Sequence, residues 1–158
     1  MARLHERLET SLPLDKAFTF VADFANAAHW DPGVAFSERI DAGPLGVGAR
    51  YRLGVRMAGR IASMEYWVTT WEPSRRVVLR GEGRGVEAID DIRFEPTPTG
   101  TRVDYRAEIQ LRGALRLLSP FAGGAFARIA RDARDGMQRT LDAHAGAGRA
   151  PDPGTLAS

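Results

Sequence analysis

The two kinds of hydrophobic periodicity in this chain occupy separate stretches. Between the short helical stretch at its N-terminal end and residue 112 the apolar residues recur with period two, and beyond Gly113 they recur with a helical period. Such an order restricts the fold to a sheet made first and a helix laid on it last. The clearest strand is Ala49 to Met57, where Ala49, Tyr51, Leu53, Val55 and Met57 share one face and Arg50, Arg52 and Arg56 the other. One dry face and one wet face are the mark of a half-buried antiparallel strand. Val103, Tyr105, Ala107, Ile109 and Leu111 alternate in the same way with Arg102, Asp104, Arg106, Glu108 and Gln110.

Further strands are expected at Leu4–Thr10, Val34–Ile40, Ile61–Trp71, Val77–Glu82 and Val86–Glu95, giving a sheet of about seven. Turn chemistry separates them: Asp41 to Gly46, Ala58-Gly59-Arg60, Glu72-Pro73-Ser74, the spaced Gly81, Gly83 and Gly85, and Pro96 to Gly100. Two short helices are expected after the first strand, the second running from Asn26 to Trp30. A long helix is expected over 120–144, with Ser119 as cap and Pro120 at the first helical position. Phe126, Ile129, Ala130, Ala133, Met137 and Leu141 form its apolar stripe. The residues from 145 to 158 lack periodicity and are expected to be disordered.

Short links between consecutive strands predict antiparallel pairing. The dry face must be covered, and only the final helix is long enough to cover it. The expected fold is therefore α+β: a curved antiparallel sheet wrapped around a C-terminal helix, with a cavity wherever the helix does not fill the curve. Tyr51, Leu53, Val55, Tyr66, Val68, Leu79 and Tyr105 from the sheet, with Phe126 and Ile129 from the helix, are the expected ligand-binding lining. Between Ile61 and Trp71 both faces are apolar. Either Met64, Tyr66 and Val68 point inward with Glu65 solvated, the register favoured here, or Ile61, Glu65, Trp67 and Trp71 do.

Composition narrows the function classes. The net charge is +2 and the arginines are scattered, which does not suggest a nucleic-acid partner. There is no cysteine, which excludes disulfides and thiolate chemistry and fits a cytoplasmic location. No apolar run reaches the ~20 residues of a membrane span. His5, His29 and His144 have no metal-ligand spacing, and no metal or cofactor is expected. Among the acids, Asp90 and Asp91 fall on adjacent faces of one strand, so one of them should point inward, where burial raises a carboxyl pKa and suits it to acid–base work. Which of the two does so is left open. Gly123-Gly124 weakens the start of the long helix and serves either as a hinge or as a close-packing point.

Four segments carry a family resemblance: Leu12-Pro-Leu-Asp-Lys-Ala-Phe18 through Phe24, Trp30-Asp-Pro-Gly-Val34, Trp71-Glu-Pro-Ser-Arg-Arg76, and Phe94-Glu-Pro-Thr-Pro-Thr-Gly-Thr-Arg102. With these the chain resembles the START-like helix-grip (SRPBCC) superfamily over residues 3–144, most closely its bacterial polyketide cyclase/dehydrase branch. The resemblance implies a hydrophobic ligand such as a lipid or polyketide, with cyclase or dehydratase chemistry on an aromatic precursor as the alternative. It places Trp30 and Asp31 at the mouth of the cavity, Trp30 as a lid or as a structural wedge. A protein-interaction module, as in the co-chaperone branch, is the third reading. The chain is expected to act as a monomer or homodimer.

Overall fold

The computed structural model describes residues 1–121 and 123–148. Strand β1 (Ala2–Thr10) leads into helix α1 (Leu14–Ala22), a single 3-10 turn (Phe24–Asn26) and the short helix α2 (Ala27–Trp30). Six strands follow: β2 (Val34–Arg39), β3 (Arg50–Met57), β4 (Arg60–Glu72), β5 (Arg76–Gly83), β6 (Val86–Thr97) and β7 (Gly100–Leu111). All pair antiparallel in one sheet of order β1-β7-β6-β5-β4-β3-β2, so the chain meanders once and β1 joins the end of the meander. A 3-10 segment (Gly113–Phe121) then precedes the long helix α3 (Gly123–Ala147). The α+β helix-grip architecture expected from the two periodicities is the one observed.

The long helix is displaced along the chain from its expected position. It begins at Gly123 and ends at Ala147, so it keeps a length of about 37 Å while shifting three residues toward the C-terminus. Pro120 lies inside the 3-10 segment and does not open the helix. That segment is held by Leu115, which packs over Gly85 at the β5–β6 turn. Of the tail expected to be disordered, residues 145–147 are helical and residues 149–158 lie outside the described residues. Among the described residues no helix is long and apolar enough to cross a membrane.

The inside of the curved sheet has two different ends. At one end α1 fills it: Phe18 meets the rings of Trp71 and Phe94 edge-on at 5.1 and 5.2 Å. The C-terminal part of α3 is fixed there too. Thr10 donates to Asp142 at 2.7 Å, Gln138 to the Glu9 carbonyl at 3.2 Å, and Thr140 to the His29 carbonyl at 3.1 Å. Arg134 of the same helix bonds Glu6 of β1 at 3.1 Å. Small residues on this face of α3, Ala130, Ala133 and Gly136, let the helix settle close to its neighbours. Gly136 touches the backbone carbonyl of Trp30, leaving no room for a Cβ.

Strand β4 resolves the two registers left open by its sequence, and both are partly right. Met64, Tyr66 and Val68 point inward while Glu65 is outside, bonded to Arg50 at 2.8 Å. The register then shifts between Val68 and Thr70, and beyond this bulge Trp71 faces Phe18 in the interior.

Gly136→Ala tests the seating of α3. Alanine is the better helix former by about 1 kcal/mol, yet a Cβ on the Trp30 carbonyl forces the helix outward. The expected outcome is a net loss of roughly 1–3 kcal/mol in urea unfolding; a more stable variant would show that the close approach is not a constraint.

Candidate functional site

The other end of the curve is not filled. Here the tips of the β3–β4 and β5–β6 hairpins, the loop after α2 and the first turns of α3 enclose an apolar cavity of about 70 Å³. Val55, Tyr66, Phe126 and Ile129 from the expected lining are on its wall, joined by Met57, Met64, Val86, Ala88 and Ile109. Asp31, Gly33 and Arg56 complete its margin. Its volume equals about two waters at ~30 Å³ each, well below the ~300–1,000 Å³ of a site that swallows a drug-sized molecule.

Each wall residue is there for a local reason. Met57 and Val55 continue the inward series of β3, and Val86 and Ala88 begin that of β6. Tyr66 lies flat on the sheet because its cross-strand partner is Gly81, where a Cβ would stand only 2.5 Å from the ring. Gly81 is therefore a strand residue of β5 that makes room for an aromatic ring, not part of a loose turn. Gly123 and Gly124 have open space where a Cβ would go, so close packing is not their part in the helix.

The remaining expected binding residues lie deeper. Tyr51, Leu53, Val68 and Leu79 are buried in the packed core and do not border the cavity. Trp30 is 2% exposed and wedged between α3 and the sheet, 6.1 Å from Phe24 and 6.2 Å from Tyr105, centroid to centroid. Its Nε1 has no hydrogen-bond partner among the described residues. With Tyr105, Leu8, Glu6, Ala133, Arg134 and Met137, Trp30 lines a second cleft of about 10 Å³, room for one water at most.

The acidic pair on β6 divides as alternation requires, since no bulge interrupts that strand's pairing with β5 or β7. Asp91 points outward and is clamped by Arg76 at 2.9 Å and Arg93 at 3.1 Å. Its partial burial works to raise the pKa, but the two guanidinium groups outweigh that and hold the carboxyl below its ordinary value. Asp91 is therefore removed from the interior acids. Asp90 points inward, 5% exposed, and accepts a short hydrogen bond from the Tyr105 hydroxyl.

Burial pushes the Asp90 carboxyl up to about 7; the Tyr105 hydroxyl pulls against this and the charge of Asp31 adds to it. Asp31 itself is pushed up to about 6 by burial, against the pull of the Gly33 N–H it accepts at 2.7 Å and with help from Asp132 of α3. The Tyr66 and Tyr105 hydroxyls are raised well above 10 by burial and then by the Asp90 charge. Asp90, Asp31, Tyr66 and Tyr105 thus influence one another's titration, but only Asp31 and Tyr66 border the cavity, while the Asp90–Tyr105 pair lies behind its wall.

The sequence reading singled out Asp90 but did not place Asp31 among the site residues, although its resemblance put Asp31 at the mouth. Met57 and Ile109 stood in the inward series already; what the series lacks is any mark of which end the helix leaves open. His29 is exposed, away from the wall. Among the described residues no three His, Asp or Glu side chains come together as a metal site would need.

Comparisons with known proteins agree with this architecture. A family model described as polyketide cyclase / dehydrase and lipid transport matches residues 1–142. No curated protein matches the sequence. Among solved structures, the Zhui aromatase/cyclase of a Streptomyces species is 16% identical with a TM-score of 0.74, covering 94% of this chain and 98% of that one. A Thermus thermophilus protein is 16% identical with a TM-score of 0.73, covering 90% and 97%. A START superfamily protein of Mycobacterium smegmatis is 12% identical with a TM-score of 0.68, covering 93% and 99%. At these identities the likeness is one of fold.

The raised pKa of Asp90 makes a signed prediction. An acid whose folded pKa lies above its unfolded value costs stability once it must ionise. Its penalty is absent below about pH 4, grows as the pH rises through about 7, and stays constant beyond. Asp90→Asn should therefore gain on the wild type across that window, by at most roughly 4 kcal/mol. Urea unfolding of both proteins from pH 4 to 8 reads the difference directly, and a difference independent of pH would show that Asp90 titrates normally.

Proposed function

The chain belongs to the polyketide cyclase/dehydrase and lipid-transport family, and from that premise we propose that it binds an apolar small molecule in the cavity between the first turns of α3 and the β3–β6 end of the sheet. The observation that carries this reading is the asymmetry of the interior: apolar wall on all sides, yet filled at one end only. The pocket's lining is almost wholly apolar, so burial of ligand surface at ~25 cal/mol per Å² supplies the affinity. Asp31 and Tyr66 give the ligand a polar contact that fixes its orientation.

The cavity as it stands admits one end of a lipid or polyketide rather than the whole. Every side-chain hydrogen bond that ties α3 to the rest of the described residues falls at Arg134 or later. The wall formed by Phe126 and Ile129 is thus the one free to move outward for a larger ligand.

A second reading, cyclase or dehydratase chemistry, is favoured by one specific observation: the Asp90–Tyr105 pair. A carboxyl with a pKa near 7 exists in both protonation states at neutral pH, as a group that takes a proton from one carbon or oxygen and returns it to another must. An apolar wall that holds a flexible chain in one bent shape provides the rest of such catalysis.

Ala88→Leu fills the cavity and tests the first reading. Binding of a fluorescent fatty acid should weaken by roughly tenfold or more as the cavity volume is lost, while the melting temperature stays close to that of the wild type. Unchanged binding would place the ligand elsewhere. For the second reading, Asp90→Asn should abolish turnover of a linear aromatic polyketide precursor and leave its binding intact; full turnover by the variant would exclude Asp90 as the proton carrier.

A further inference from the structure

The open end of the molecule also carries two adjacent exposed leucines and, among the described residues, a set of unpaired cations. Leu117 is 79% exposed and Leu118 55%, adjacent on the 3-10 segment whose Leu115 is anchored over Gly85 at the β5–β6 turn. Exposure of two neighbouring leucines on a fixed segment calls for a partner surface. At the same end of the fold are Arg56 and Arg60 of the β3–β4 hairpin, Arg84 of the β5–β6 hairpin, Arg116 of the 3-10 segment and Arg128 of α3, all exposed.

Among the described residues the charge on these arginines is not used. None of the five has a carboxylate within 4 Å among those residues, whereas arginines on the sheet's outer face are largely paired, as in Arg76–Asp91, Arg50–Glu65 and Arg102–Glu9. Of the acids at this end, Glu87 is held by Arg112 at 2.6 Å, Glu82 lies on the outer face of β5, and Asp31 with Asp132 of α3 beside it stands at the cavity margin, so the five arginines outnumber the acids left to face them. The rim of the cavity is therefore positive, with apolar side chains projecting beyond it.

The geometry points to a docking surface for an anionic phospholipid bilayer, with Leu117 and Leu118 entering the acyl region and the five arginines meeting the phosphate layer. A second copy of the chain fits less well, because a two-fold contact through this end sets like charges against each other. A nucleic acid would take the arginines but leave the leucines in water. A bilayer satisfies both features, and docking would bring the mouth of the cavity against the membrane. The inference goes beyond the ligand reading and does not require it, since vesicle binding is measured whatever the cavity holds.

Flotation of the full chain with phosphatidylcholine vesicles, with and without phosphatidylglycerol, tests the proposal. The protein should float with the anionic vesicles only, and added salt should release it. Leu117→Ser combined with Leu118→Ser alters exposed positions and should leave the circular dichroism melt unchanged while weakening vesicle binding by roughly tenfold or more. Arg84→Glu with Arg116→Glu should weaken it by a similar factor. The proposal is overturned if the wild type does not float, if the leucine variant floats equally well, if that variant instead converts a dimer to a monomer, or if an oligonucleotide binds the wild type and the leucine variant alike while anionic vesicles do not.

Discussion

The depth to which α3 can sink into the curved sheet is the constraint on which the rest of the structure depends. Where the helix carries Ala130, Ala133 and Gly136 it approaches closely enough for a glycine to touch the Trp30 carbonyl. Where it carries Phe126 and Ile129 the bulkier side chains stand it off from the strands, and a gap remains. Ala130, Ala133 and Gly136 let the middle of the helix settle, and Met137 and Leu141 beyond them pack into the core, whereas Phe126 and Ile129 before them border the gap. One end of the molecule is thereby closed and the other left open, without any change in the sheet itself.

The interior polar groups follow from the same division. A carboxyl in a fully packed core must find partners or lose stability. Asp90 has one, the Tyr105 hydroxyl, at a depth between the filled end and the cavity, and Asp31 has the Gly33 N–H at the margin. Burial raises the pKa of both acids, but only Asp31 borders the cavity. Asp91, one residue away but on the wet face, is instead saturated by two arginines and stays ionised. A single step along β6 separates a potential reactive group from a surface ion pair.

Much of this was legible in the sequence, and the parts that were not have physical causes. The order of periodicities was sufficient for the fold because period two and period 3.6 bury different faces and cannot be exchanged. Alternation also required that Asp90 and Asp91 face opposite ways. The pair alone left open which was inside, yet the wider strand tells them apart: Val86, Ala88, Ile92 and Phe94 share the Asp90 face, whereas Glu87, Arg93 and Glu95 share the Asp91 face. In the fold Asp90 meets Tyr105 of β7 and Asp91 meets Arg76 of β5. The bulge in β4 escaped because it leaves no residue signature: Thr69 and Thr70 suit either face. Gly81 was misleading, since a glycine that makes room for an aromatic ring has the same letter as one that makes a turn. The helix start was misplaced at Pro120, where the local proline signal is outweighed by a tertiary contact, Leu115 on Gly85.

The distribution of arginine sharpens the contrast between the two ends. Along the sheet's outer face opposite charges on neighbouring strands engage most guanidinium groups in cross-strand pairs, each worth little alone. At the open end Arg112 still pairs with Glu87, but among the described residues the arginines of the hairpin tips, of the segment before α3 and of its first turns have no carboxylate partner. Charge that a fold does not neutralise internally is available to something outside it. The leucines that project from the same rim would be a liability in a molecule that met only water. The gap under α3, the buried acids near it and the arginine-rich rim with its exposed leucines thus all lie toward the side where the helix is held least, so the proposed ligand and membrane readings draw on one and the same end of the fold.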